Sequence, residues 1–74
     1  MFTVTETNFT NSKPWLFKLV DSSGNTCYIM HIGFYKENGM ISPITKRELD
    51  SLTVGDVVKG DIIEISGTRV LTSI

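Results

Sequence analysis

The chain has 74 residues, 41% of them hydrophobic and 20% charged, a balance that excludes a disordered or fibrous protein and leaves room for one small domain spanning 1–74. Seven Lys and Arg against eight Asp and Glu give a net charge of −1, without the broad basic excess that duplex-DNA binders use to gain affinity from phosphates. One cysteine and one histidine exclude an internal disulfide and a four-ligand structural zinc site.

In chain order, Phe2 to Thr7 alternates with period two and is rich in β-branched residues, the pattern of a first strand with a possible extension to Phe9. Asn11-Ser12-Lys13-Pro14 is a polar break, since proline cannot donate to an internal ladder. Trp15 to Val20 predicts a second strand, Asp21 to Asn25 a hairpin turn, and Thr26 to Ile32 a third strand. Phe34-Tyr35-Lys36 reads as an extension of the third strand beyond a bulge at Gly33, with a turn at Glu37-Asn38-Gly39 and a connector from Met40 to Pro43.

A single helix is expected from Thr45 to Leu52. Thr45 and Glu48 have the spacing of a capping box, and Ile44 with Leu49 supplies the accompanying hydrophobic staple. About seven residues cannot hold a helix in water, so Ile44, Leu49 and Leu52 must pack against the rest of the fold. Val57 to Ile65 predicts a fourth strand bent at Gly60, Ser66-Gly67 a two-residue turn, and Thr68 to Ile74 a last strand.

The resulting order of three strands, a short helix and two strands resembles the oligonucleotide/oligosaccharide-binding (OB) fold, a five-stranded Greek-key barrel. The fold class expected is therefore mainly β: a small five-stranded OB-like β-barrel with one short helix between strands 3 and 4. The resemblance covers nearly the whole chain and is one of layout, with no signature motif. It implies a ligand across strands two and three, bordered by Asn11–Pro14 and Ser66-Gly67. At two residues the second loop is shorter than that of many nucleic-acid-binding members.

Single-stranded nucleic acid requires exposed aromatic faces and neighbouring cations. Alternation along strand two groups Trp15, Phe17 and Leu19 on one face, and Lys18 marks the other as outward, so Trp15 and Phe17 are assigned to the core. On strand three, Cys27, Ile29 and His31 oppose Tyr28, Met30 and Ile32, and periodicity leaves open which set faces out. The candidate nucleic-acid-binding residues are Lys18, Tyr28, His31, Tyr35, Lys36 and Arg69, with Lys13 a further cation near the same surface. Lys46 and Arg47 sit in the first turn of the helix, where cations cost roughly 0.3–1 kcal/mol, which makes them candidate partner contacts.

Catalysis finds little support. Cys27 and His31 on an extended strand lie about 13 Å apart, too far for a nucleophilic dyad. No phosphate-binding glycine loop is present, and Asp56, Asp61 and Glu64 do not share one strand face. The expectation is a binding module that is not an enzyme and uses no cofactor or metal. Its partner is single-stranded DNA or RNA, or alternatively a protein partner or a second copy of itself. With no recognisable export signal and no apolar run of membrane-spanning length, cytoplasmic residence away from membranes is expected.

Overall fold

Residues 1–10, 12–41 and 44–74 are described by a computed structural model. The sequence expectations at Asn11, Ser42 and Pro43 lie outside the described residues. The elements are β1 (Phe2–Thr7), β2 (Trp15–Asp21), β3 (Thr26–Met30), α1 (Ile32–Glu37), α2 (Lys46–Ser51), β4 (Val57–Val58), β5 (Ile62–Ile65) and β6 (Thr68–Leu71). They form a mainly β domain with one six-stranded sheet in the order β4-β1-β2-β3-β6-β5. Antiparallel pairing joins every neighbour except β3 and β6, which run parallel and meet at Tyr28 and Val70.

Three expectations need correction. The fourth strand is two short strands, because the chain turns at Gly60 so closely against the Ser73 carbonyl that a β-carbon there would overlap it. Val57-Val58 then pairs with β1, while Ile62–Ile65 pairs with β6. Secondly, the chain leaves β3 at Met30, and the segment expected to continue the strand is α1, with His31 as its N-cap. Gly33 is therefore a helical residue and no bulge.

Thirdly, no ladder joins β4 to β5 among the described residues, so the hydrogen-bonded sheet is not closed into a barrel of five strands. It is nevertheless strongly curled. The edges of a flat six-stranded sheet stand roughly 24 Å apart, whereas the chain from Val58 to Ile62 can reach at most about 14 Å.

The curl encloses Val4, Phe17, Leu19, Cys27, Ile29 and Leu71, each at most 1% exposed. Ile44 and Leu52, flanking α2, belong to the same cluster, and Leu49 packs against it. The capping box forms as the spacing predicts: the Glu48 amide donates to Thr45 Oγ1 at 3.2 Å, and the Thr45 amide donates to Glu48 Oε1 at 3.1 Å. This satisfies two amides that a six-residue helix would otherwise leave to water. A second, smaller cluster lies on the other face of the sheet. There α1 places Tyr35 over Met30 and Val70, with Trp15, Tyr28, Phe34 and Met40 packed around them.

Candidate nucleic-acid interface

Residues paired across a ladder share a face, so the registers define the outer surface. Glu6 pairs with Lys18, Lys18 with Tyr28, Tyr28 with Val70, and Val70 with Ile63. This row crosses β1, β2, β3, β6 and β5 on the side away from the main core. Cys27 and Ile29 point inward, which resolves the orientation of β3: Tyr28 belongs to the outer face.

Trp15 joins that face, contrary to the expectation from alternation. The β2–β3 register passes from Trp15 opposite Met30 to Phe17 opposite Ile29, so Leu16 is an extra residue in a bulge. An extra residue inverts the inside–outside order on one side of it. Phe17 remains in the core as expected, while Trp15 moves outward against Tyr28. Their ring centroids lie 5.7 Å apart with the planes 37° from parallel. Lys13 Nζ sits 5.4 Å from the Trp15 ring centroid, within reach of a cation–π contact. Half-buried Trp15, Tyr28 and Lys18, with exposed Lys13, thus form one aromatic and basic patch.

The other sequence candidates are placed differently. Tyr35 is only 3% exposed, because α1 turns it inward, and it offers no face to a base. Its hydroxyl donates to the Leu71 carbonyl at 2.8 Å and accepts from the Met30 amide at 3.2 Å, tying β3 to β6 just past their single paired position. Burial raises the Tyr35 hydroxyl pKa, with the Met30 amide bond acting the other way. His31 stands at the start of α1, where its amide donates to the Pro14 carbonyl at 3.1 Å beside Trp15, but its Nε2 is shielded from water with no hydrogen-bond partner among the described residues. Lys36 is exposed in the last turn of α1, where the helix dipole favours a cation.

Arg69 is already engaged. Its Nη2 lies 3.3 Å from Asp21 Oδ2, and Glu64 stands opposite it in the ladder. Asp21 also accepts the Asn25 and Ser23 amides, each at 2.9 Å. The Asn25 amide is the leading cause that lowers its pKa, with Ser23, the Asn25 side chain and Arg69 adding to it against the effect of desolvation. Arg69 therefore serves to fasten the β2–β3 turn to β6. Lys46 makes an exposed pair with Asp50 at 3.5 Å, and Arg47 is exposed beside it on α2. Neither belongs to the aromatic patch.

Cys27 is fully buried on the inner face and His31 caps a helix, so the two form no dyad. Burial raises the Cys27 thiol pKa, and nearby Arg69 opposes this only in part. The native protein should resist iodoacetamide at mildly alkaline pH and become labelled only on unfolding, as followed by intact mass; rapid native labelling would contradict the placement of Cys27 in the core.

Among the described residues, no helix is long and apolar enough to cross a membrane. Sequence reasoning names Lys18, Tyr28 and Lys13 as candidates on this face but assigns Trp15 to the core, because a bulge at Leu16 leaves no mark on the residue pattern. No protein-family model, curated protein or solved structure matches this chain.

Proposed function

We propose that this chain is a non-enzymatic binding module, OB-like in layout, that takes single-stranded nucleic acid across β2 and β3. The observation that carries this reading is the Trp15–Tyr28 pair on the outer face with Lys13 over the indole. Bases stack on the two rings, and Lys13, Lys18 and Lys36 meet the backbone phosphates. The layout that supports an OB-like reading is the β1-β2-β3 meander, the parallel β3–β6 contact, and a bent segment whose halves pair with β1 and β6.

The charges limit how much phosphate contact contributes. Glu6 lies beside Lys18, and Arg69 is held by Asp21. With about two or three phosphates neutralised, log K falls with log salt at a slope of about −1.4 to −2.1, so affinity drops roughly tenfold between about 50 and 200 mM salt. Quenching of the Trp15 fluorescence by oligo-dT and oligo-rU measures this directly, since the chain has one tryptophan. Tyr28→Ala should weaken binding at least about fivefold, on the scale of one lost base stack. Absence of binding to either oligonucleotide at low salt, or a Tyr28→Ala variant that binds as tightly as the parent, overturns the proposal.

A second reading, a protein-interaction or self-associating subunit, is favoured by exposed Phe9, Ile41, Val54 and Val57 and by the net charge of −1. A stable dimer or larger species in solution with no oligonucleotide affinity supports that reading against the first.

A further inference from the structure

Where the end of β3 meets α1 and α2, the structure holds a cleft of about 690 Å³ that the nucleic-acid reading does not use. Leu16, Ile29, Tyr35, Ile44 and Leu49 supply much of its wall, so its interior is apolar. Its volume falls within the usual range for small-molecule sites, about 300–1,000 Å³. Two nitrogen-bearing side chains break the apolar lining, His31 and Lys46.

Both point to an anionic oxygen ligand. Lys46 is almost entirely solvent-exposed, and its pairing with Asp50 is an exposed surface contact that another carboxylate can replace at little cost. His31 Nε2 has no hydrogen-bond partner among the described residues, although it is shielded from water. Reorienting that atom toward an incoming oxygen breaks no hydrogen bond to it among the described residues. Glu48 is held by the capping box at Thr45, on the rim of the cleft, and its charge opposes an anion there, which leaves Lys46 as the cation that must outweigh it.

We propose that this cleft binds a small amphipathic carboxylate, with its alkyl chain against the accessible parts of Leu16, Ile32 and Leu49 and its carboxylate beside Lys46 and His31. Trp15, Tyr28, Lys13 and Lys18 do not line the cleft, so this proposal and the nucleic-acid reading can each fail without the other.

The test is titration of the full chain, ¹⁵N-labelled, with octanoate, decanoate and octanol below their micelle or solubility limits, read by amide chemical shifts. Saturable shifts at residues lining the cleft are expected. Decanoate should bind roughly tenfold more tightly than octanoate, since each buried methylene contributes about fourfold at most. Octanoate should bind several-fold more tightly than octanol, and Lys46→Glu should remove that preference by weakening octanoate far more than octanol. His31→Phe should weaken octanoate in the same direction. Because Lys46 is on the surface, its variant tests the carboxylate contact without threatening the fold. No saturable shift, shifts mapping away from the cleft, or equal affinity for octanol and octanoate overturns the proposal.

Discussion

Tyr35→Phe should lower stability by about 2–4 kcal/mol, a large share of the total for a domain of this size. The hydroxyl is buried and serves two main-chain groups at once, the Met30 amide and the Leu71 carbonyl. Removing it leaves both without that partner in a place water does not reach. At the scale of small domains this lowers the melting temperature by roughly 10–20 °C. Tyr35→Ala should cost more, because it also opens a cavity beneath α1.

The same residue dictates an alkaline limit. Its folded pKa is raised, so the fold holds the proton more tightly than the unfolded chain does. The resulting stability is fully present below the unfolded tyrosine pKa of 10.0, and is lost as pH rises through the higher folded value. Urea midpoints of the parent should fall above about pH 10, and the Phe variant should lack that part of the loss. A Phe variant that melts within about 2 °C of the parent would show that the bridge between β3 and β6 carries no weight.

Gly60→Ala should destabilise by about 1–3 kcal/mol, from overpacking against main chain. A β-carbon at residue 60 overlaps the Ser73 carbonyl, and Leu71 lies close by. Relief requires the end of the chain to move. That endangers the Thr72 amide bond to the Asp61 carbonyl at 2.9 Å, the Asp61 amide bond to Ser73 Oγ at 3.0 Å, and the packing of Ile74 on the main core. Gly33→Ala is the matched control, since nothing lies within 4 Å of a β-carbon there and the residue is helical. It should stabilise by up to about 1 kcal/mol. Thermal melts of the two variants should therefore shift in opposite directions, and a shared direction would refute the close approach at residue 60.

Local signals in the chain were readable where neighbours in sequence are also neighbours in space. Thr45 and Glu48 meet across one helical turn, and Ser66-Gly67 turns through two residues of positive φ, at 51° and 80°. The Phe17 and Leu19 assignment to the core needed only alternation on an undisturbed strand. The segment from His31 to Lys36 was misread because its apolar residues suit a strand extension as well as a short helix, while the turn at Asn38-Gly39 was not. Tyr35 settles the choice through contacts with Leu71, a partner 36 positions away.

The candidate interface divides in the same way. Sequence by itself determined the mainly β character, the capped helix at residues 45–52 and the supply of aromatics and lysines near strands two and three, because these depend on composition and short-range spacing. Only the tertiary structure decided that Trp15 stands outside with Tyr28, that Tyr35 is a buried bridge, and that Arg69 belongs to Asp21. A bulge changes which face a residue takes without changing its neighbours in the chain, and long-range partners are chosen only when the sheet curls over its core.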